Sequence, residues 1–102
     1  MQTISVEEVK KRLDSGESLH LLDVREPHEH ADFNICGTLL SLGRIQQMDT
    51  DEIEGWKDDE VIVYCRSGNR SGIAGMVLDQ LGFTNTKNLI GGMLGWQQKF
   101  GR

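Results

Sequence analysis

The fold of this chain is organised around one stretch, Val61-Ile-Val-Tyr-Cys65-Arg-Ser-Gly-Asn-Arg70-Ser-Gly72. An apolar run ends at Cys65, six residues rich in small side chains and arginine follow, and a helical pattern then begins. A strand that leads through a tight loop into a helix brings backbone N–H groups and the positive end of a helix dipole to one point. The stretch therefore predicts a thiol held in an anion-attracting loop, and Cys65 is the candidate nucleophile.

The composition limits the kind of protein and the kind of partner. With 102 residues, the chain is expected to form one domain over residues 1–102. Its 37% hydrophobic and 26% charged residues are ordinary for a globular protein, and its formal net charge is −5. This charge argues against nucleic acid or an anionic membrane as a partner. An anion site must therefore be built locally, and the arginines near Cys65 are its candidates.

The cysteines and the N-terminus favour a cytoplasmic setting. Cys36 and Cys65 are too few for a disulfide framework, and the chain has no C-x-x-C pair. The first residues lack the basic and apolar regions of a signal peptide, and no apolar run is long enough to span a bilayer. His28 and His30 are two apart and do not share a helix face, so we expect surface side chains and no metal site.

The hydrophobic pattern predicts short strands that alternate with helices. Strands are expected at residues 2–4, 19–24, 35–40, 61–64 and 88–90. Ser5 with Glu8 forms a capping-box pattern at the start of the first helix, and Pro27 suits the first turn of the second. Further helical turns are expected from the spacing of apolar residues at 42, 45 and 48, at 53 and 56, at 73, 77, 78 and 81, and over 93–100.

This alternation is typical of an α/β fold. Strand–helix–strand units with right-handed crossovers give a parallel sheet that is covered by helices on both faces. Ligands of such sheets bind beyond the carboxyl ends of the strands. Cys65 is expected at such an end.

The residues around Cys65 favour a reactive thiol over a structural one. A helix N-terminus and neighbouring arginines lower the pKa of a cysteine, and the thiolate is the reactive form. Ser67, Gly68 and Ser71 are small enough for the backbone to curl with its N–H groups pointing inward. The alternative, a buried structural cysteine at a strand end, would be expected in apolar and inert surroundings.

Three motifs in the right order resemble single-domain rhodaneses, the thiosulfate-type sulfurtransferases, over nearly the whole chain. The segment Cys65-Arg-Ser-Gly-Asn-Arg-Ser71 resembles the active-site loop of that family. Leu22-Asp-Val-Arg-Glu-Pro27, with Glu29 in the acidic place, resembles the family's Leu-Asp-Val-Arg-x-x-x-Glu segment. Leu89-Ile-Gly-Gly92 followed by Trp96 is similar to its C-terminal signature.

One segment departs from the family pattern. Phe33-Asn-Ile-Cys-Gly-Thr38 stands where the family commonly has Gly-His-Ile-x-Gly-Ala, and no proline follows at the usual position. Because Ile35 and Gly37 are kept, we expect the fold to be unaffected.

The resemblance implies both a fold and a chemistry. The fold is a rhodanese-like three-layer sandwich with a five-stranded, mainly parallel sheet of order 1-5-4-2-3. The chemistry is sulfur transfer from a small anionic donor such as thiosulfate to cyanide, a thiol or a protein, through a persulfide on Cys65 and without a cofactor. The implied substrate-binding residues form the loop after Cys65, namely Arg66, Ser67, Gly68, Asn69, Arg70 and Ser71.

Within this loop the two arginines are expected to differ. Arg66 is expected to guide the donor anion. Arg70 either touches the substrate or braces the loop through an acidic side chain, because arginine serves ion pairs as readily as substrates. The resemblance also implies that Asp23 and Arg25 form a structural ion pair.

Two other functions are compatible with a cysteine-arginine loop. The first is a phosphatase or a related arsenate reductase-like enzyme, but phosphatase loops have the spacing Cys-x5-Arg, and here only four residues separate Cys65 from Arg70. A loop shorter by one residue favours a sulfur atom over a phosphate. The second is a sulfur-carrier or regulatory module with little turnover. Cys36 is expected to be a partly buried, non-catalytic thiol, the alternative being that it resolves the persulfide as a disulfide.

Overall fold

Strands and helices alternate from end to end in the structure, a computed structural model that describes residues 1–102. The strands are β1 (Gln2–Ile4), β2 (His20–Asp23), β3 (Thr38–Leu39), β4 (Glu60–Tyr64) and β5 (Asn85–Leu89). The helices are α1 (Val6–Asp14), α2 (Pro27–Asp32), α3 (Leu42–Gln46), α4 (Asn69–Gln80) and α5 (Gly92–Phe100), with a 3₁₀ helix over Asp51–Trp56 between α3 and β4.

The five strands form one sheet in the order β1-β5-β4-β2-β3, and every pair of neighbours is parallel. The expected strand order is therefore confirmed. In the middle of the sheet, Val63 of β4 lies between Leu22 of β2 and Asn88 of β5. Because the strands are parallel, the segments that leave their carboxyl ends meet at one edge. Cys65 directly follows β4 at this edge.

Helices cover both faces of the sheet, which confirms the three-layer arrangement. Alternate residues of β4 point to opposite faces, as in any strand. Val61, Val63 and Cys65 belong to the apolar core under α3, α4 and the 3₁₀ helix, whereas Ile62 and Tyr64 belong to the core under α1 and α5. A central strand buried on both sides explains the uninterrupted apolar run in the sequence. None of the helices combines the length and the apolarity needed to cross a membrane.

The predicted helix starts are found in the structure. Ser5 caps α1 by accepting a hydrogen bond from the backbone N–H of Glu8 at 3.1 Å. Pro27 occupies the first turn of α2, where its missing N–H has no consequence. The starts of both helices are thus set by residues that are adjacent in the sequence and do not depend on tertiary packing.

The third strand is shorter than predicted. Of the expected residues 35–40, only Thr38–Leu39 pair with β2. Cys36 has a left-handed backbone (φ 68°), and its N–H donates to the side chain of Asn34 at 2.8 Å, so the chain turns here. At Gly37 a Cβ atom would lie 2.5 Å from the Tyr64 hydroxyl oxygen, so only glycine fits at this position.

Three other boundaries or faces differ from the prediction. β5 begins at Asn85, before its predicted start at residue 88, because its first residues are polar and the apolar pattern does not reveal them; Thr86 hydrogen-bonds Asp79 and Lys87 hydrogen-bonds Glu60. Ile73 is 47% exposed and not in the core, since the buried face of α4 is set by Ser71, Ala74, Gly75 and Leu78. Met48 lies beyond the end of α3, exposed and with φ 61°.

Candidate active site

The loop that carries Cys65 turns from β4 into α4 within a few residues. Gly68 is the residue before the helix and has φ 110°, a conformation that glycine adopts without the steric cost of a Cβ atom. The turn brings the N-terminus of the 12-residue helix α4 next to the end of β4. Cys65 is 1% exposed and lies at this junction.

Hydrogen bonds to the sulfur of Cys65 favour its thiolate. The backbone N–H of Gly68 donates to Cys65 Sγ at 3.1 Å, and Ser71 Oγ lies 3.3 Å from the same atom. Burial raises the pKa of the Cys65 thiol, but hydrogen bonds from the Ser71 side chain and from the backbone N–H groups of residues 71, 68 and 67 more than offset it. The pKa of Cys65 is therefore below the ordinary thiol value, as expected for a nucleophile.

The carbonyl groups of the loop are held from outside by α5. The backbone N–H of Met93 donates to the Cys65 carbonyl at 2.9 Å, and that of Leu94 donates to the Arg66 carbonyl at 3.0 Å. Gly92 makes this contact possible, because a Cβ atom there would lie 2.5 Å from the Cys65 carbonyl oxygen. This packing is the physical reason for the glycine at residue 92, whereas Gly91 precedes the helix with φ 82°, a left-handed conformation that favours glycine.

Arg70 and Glu29 tie the loop to α2. The two terminal nitrogens of Arg70 donate to the two carboxylate oxygens of Glu29 at 2.6 and 2.8 Å, a bidentate pair. The hydrogen bonds from Arg70 lower the pKa of Glu29 to about 2. Glu29 is itself fixed by accepting the backbone N–H of Glu26 at 3.1 Å. Of the two roles considered for Arg70, this geometry provides the brace through an acidic side chain.

A buried ion pair lies beside this tether. Arg25 donates to Asp23 through Nε at 2.9 Å and through a terminal nitrogen at 2.8 Å, and both residues are buried. The structural pair implied by the resemblance is confirmed. His30 was expected at the surface, but its Nδ1 lies 2.8 Å from Asp23 Oδ2, because the first turns of α2 pack against the end of β2. His28 is exposed, as expected.

Arg66 is the loop arginine without an acidic partner. It is exposed, and no carboxylate lies within 4.0 Å of its guanidinium. It lines a cleft of about 250 Å³ together with Arg25, Phe33, Met93 and Gln97. Glu29 and Asp32 also line this cleft, and Cys65 does not. A free guanidinium on the residue next to the buried thiol is suited to attract a small anion.

Comparison with known proteins agrees with this geometry. The sequence model of the rhodanese-like domain family matches residues 5–99. The chain belongs to the rhodanese-like domain family. It is 37% identical over 93 residues to the sulfurtransferase of Allochromatium vinosum, covering 91% of this chain and 85% of that protein. The solved structure of the human single-domain sulfurtransferase TSTD1 superposes with a TM-score of 0.80 at 26% identity, covering 97% of each chain.

Some relatives are longer than this rhodanese-like domain. YrkF of Bacillus subtilis is 36% identical over 97 residues, which cover 94% of this chain but only 51% of that protein. The chain therefore spans about half the length of that relative.

The rhodanese-like domain gathers the predicted loop residues around Cys65, but not all of their side chains face it. Gly68 contributes its N–H and Ser71 its hydroxyl, whereas Ser67 and Asn69 are exposed and their side chains make no hydrogen bond within the chain. Cys36 is an exposed free thiol, so its expected partial burial is wrong. The left-handed turn at Cys36 carries its side chain outward.

Sequence reasoning missed Asn88. This residue lies on β5 beside Val63, one position before the end of the strand. Its side chain contacts both Ser71 and Gly68, at 2.6 and 3.1 Å. The available signal was a polar residue near the carboxyl end of a strand, where parallel sheets build their sites.

Proposed function

We propose that this protein is a sulfurtransferase that moves sulfane sulfur from a small anionic donor, such as thiosulfate, to a thiophilic acceptor through a persulfide on Cys65. The observation that carries the proposal is the hydrogen bond from the Gly68 N–H to Cys65 Sγ at the N-terminus of α4. The sulfurtransferase names of relatives that match along most of their length, including the Allochromatium vinosum protein, support it. The acceptor is cyanide, a thiol or a protein.

In the first half-reaction the Cys65 thiolate is the nucleophile. Its sulfur attacks the outer sulfur of thiosulfate, a sulfur–sulfur bond forms, and the bond to the sulfonate sulfur breaks. Sulfite leaves with the electron pair of that bond. The negative charge of Cys65 passes to the terminal sulfur of the persulfide, so charge and atoms balance without a cofactor.

In the second half-reaction the acceptor takes the terminal sulfur. A cyanide ion or a thiolate attacks it, the sulfur–sulfur bond of the persulfide breaks, and Cys65 leaves as a thiolate. The same contacts that lower the pKa of Cys65 then stabilise it as a leaving group. One set of hydrogen bonds thus serves both directions of transfer.

The loop residues divide these tasks. The backbone N–H groups of residues 66–71 are proposed to hold the persulfide and its charge, with Gly68 and Ser71 closest to the sulfur. Arg66 is proposed to guide the donor, because it directly follows Cys65, is exposed and has no carboxylate partner. The side chains of Ser67 and Asn69 are proposed to contact the donor only from the solvent side, because both are exposed.

The geometry disfavours phosphate chemistry. Both terminal nitrogens of Arg70 are engaged by Glu29, so this arginine is not free to hold a phosphate. Asp23 is fully buried and bonded to Arg25, which leaves it unsuited to protonate a leaving alcohol. Sulfur transfer is therefore the better assignment.

The test is to treat the protein with thiosulfate and to measure the mass of the peptide containing Cys65. We expect the gain of one sulfur atom, its loss on addition of cyanide, and neither event in Cys65→Ala. Cys36→Ser is the matched thiol control and is expected to load normally. Turnover of para-nitrophenyl phosphate without sulfur transfer would overturn the proposal, as would unchanged transfer by Cys65→Ala.

A further inference from the structure

Asn88 is a polar residue at the site to which the proposed reaction gives no role. It lies on β5, and its side-chain amide makes two hydrogen bonds with the loop and the helix that follow Cys65. Asn88 Nδ2 donates to the Gly68 carbonyl at 3.1 Å, and the Ser71 hydroxyl donates to Asn88 Oδ1 at 2.6 Å.

The direction of these hydrogen bonds is fixed by chemistry. A carbonyl oxygen only accepts, so the amide nitrogen of Asn88 must face Gly68 and the amide oxygen must face Ser71. A serine hydroxyl has a single proton. Its donation to Asn88 Oδ1 therefore leaves only lone pairs of Ser71 Oγ for other neighbours.

One of those neighbours is Cys65, whose Sγ lies 3.3 Å from Ser71 Oγ. A thiol can use this contact, because its S–H donates to the Ser71 oxygen while Ser71 donates to Asn88. A thiolate has no proton to offer and needs the proton of Ser71 instead. Asn88 and the Cys65 thiolate thus compete for one hydroxyl proton.

We propose that Asn88 is a positioning residue that sets, through the rotation of the Ser71 hydroxyl, how strongly negative charge is held on the sulfur of Cys65. When Cys65 ionises, its proton passes to solvent and the Ser71 O–H turns from Asn88 to Sγ. When the charge leaves Sγ, the hydroxyl turns back to Asn88. No covalent bond of Ser71 or Asn88 changes.

The use of this switch in catalysis rests on the proposed sulfur transfer. During loading, the charge moves from Sγ to the terminal sulfur of the persulfide, and Asn88 receives the hydroxyl that Sγ no longer needs. During unloading, the charge returns to Sγ and the hydroxyl follows it. Asn88 thereby keeps the thiolate reactive by preventing Ser71 from stabilising it permanently.

The other charged groups near Cys65 are common to all the variants proposed below. They lie on the loop, on α4, on α2 and at the end of β2: Arg66, Arg70, Glu29, Asp23 and Arg25. Their hydrogen bonds and ion pairs do not include Ser71 or Asn88. On β5 itself, Lys87 pairs with Glu60.

The experiment measures the pH dependence of Cys65 alkylation by iodoacetamide in the full-length protein. Asn88→Leu removes the competing acceptor at similar size, and Asn88→Ala is the second variant. We expect the alkylation midpoint to move to lower pH in both, with a rate below the midpoint that rises about threefold, as for one redirected neutral hydrogen bond. Cys36→Ser serves as the common background, so that only Cys65 is alkylated.

A double-variant comparison separates the switch from a general loosening of the loop. Both Asn88 variants also lose the contact with the Gly68 carbonyl. In a Ser71→Ala background that loss remains, but there is no hydroxyl to redirect, so Asn88→Leu should no longer move the midpoint. A midpoint that is unchanged or raised in both single variants overturns the proposal, and so does an equal shift in the Ser71→Ala background.

A measurement on the unaltered protein keeps the proposal testable if the variants do not fold. The side-chain amide resonances of Asn88 should shift at the pH where Cys65 ionises, and this shift should be absent in Cys65→Ala. Resonances that stay constant through the Cys65 midpoint overturn the proposal. Neither measurement needs a sulfur donor, so failure to form a persulfide would refute the proposed function and leave the switch standing.

Discussion

Arg70 of α4 and Glu29 of α2 are joined by two hydrogen bonds of 2.6 and 2.8 Å, which link the start of α4 to α2. The two residues are 41 positions apart in the chain. The side chain of Arg70 is 33% exposed and that of Glu29 is 19% exposed, so the pair is partly shielded from solvent. Its main effect is to hold the start of α4 against a second element.

Breaking this tether should slow the chemistry more than it destabilises the fold. We expect Glu29→Gln to lower the free energy of unfolding by only about 0.5–1 kcal/mol, because the pair is partly exposed. Persulfide formation should slow roughly tenfold, because the loop donors lose their alignment. Urea unfolding and stopped-flow loading measure the two effects.

Glu52→Gln is the matched control for Glu29→Gln. Glu52 also pairs with an arginine, Arg44, but on the exposed 3₁₀ helix. The Glu52→Gln protein should form the persulfide at the rate of the wild type. Equal loading by Glu29→Gln would show that the tether has no part in the reaction.

Charge reversal at Arg66 should affect donor binding without affecting stability. Arg66 is exposed and has no acidic partner, so Arg66→Glu should leave the unfolding midpoint in urea unchanged. Its KM for thiosulfate should rise about tenfold, since a favourable charge next to Cys65 becomes an unfavourable one. Steady-state kinetics at low and high salt measure this change.

Lys11→Glu makes the same change in net charge at an exposed position on α1 that has no ion-pair partner and does not line the cleft. It should leave the KM unchanged. If both variants raise the KM equally, donor binding depends on the net charge of the protein, and Arg66 does not guide the donor.

Gly92 should tolerate no side chain, whereas Gly43 should. Gly92 has φ 55°, and a Cβ atom would lie 2.5 Å from the Cys65 carbonyl oxygen. We expect Gly92→Ala to cost about 2–4 kcal/mol through strain and the loss of the contact between α5 and the loop. At Gly43 nothing lies within 4 Å, so Gly43→Ala should be neutral or stabilising. Thermal unfolding compares the two, and similar melting temperatures would contradict the packing role of Gly92.

Protonation of Glu60 should lower the free energy of unfolding in acid. It accepts hydrogen bonds from Arg12 at 2.5 and 3.1 Å and from Lys87 at 2.6 Å. The bonds from Arg12 first, and that from Lys87 next, lower the pKa of Glu60 from 4.5 to about 2. A carboxylate with a depressed pKa contributes stability that is fully present above pH 4.5 and is lost as the pH falls through about 2.

The corresponding variant is Glu60→Gln. It should be less stable than the wild type at neutral pH by about 1–2 kcal/mol, and its stability should fall less on acidification. Urea unfolding at a series of pH values tests both effects. Asp58→Asn, at an exposed carboxylate without an ion-pair partner, should follow the wild-type curve. If Glu60→Gln lost as much stability on acidification as the wild type, Glu60 would not be the source of the acid sensitivity.

Local signals made the fold largely predictable from the sequence. The alternation of short strands and helices indicated the parallel sheet, and Ser5 and Pro27 marked the helix starts. At the site, Cys65 at the end of a β-branched run and the glycine at position 68 were sufficient to place the thiol before a helix. For Arg70, a brace to an acidic side chain was one of the two roles that the sequence left open.

Other features depend on contacts between distant residues and carry no local signal. Ile73 fits an apolar helical face, but α4 turns Ser71 toward Cys65 and so carries Ile73 into solvent. The start of β5 is polar because its side chains pair with Glu60 and Asp79. Asn88 becomes a site residue only when β5 pairs with β4.

The contact of α5 with the loop has a consequence for the electric field at the sulfur. The carbonyls of Cys65, Arg66 and Gly68 all receive hydrogen bonds from groups outside the loop. Their negative ends are therefore turned away from the reaction centre and partly neutralised, while the N–H of Gly68 remains aimed at the sulfur. A protein with a net charge of −5 can thus keep a small electropositive region that is set by the orientation of its peptide groups.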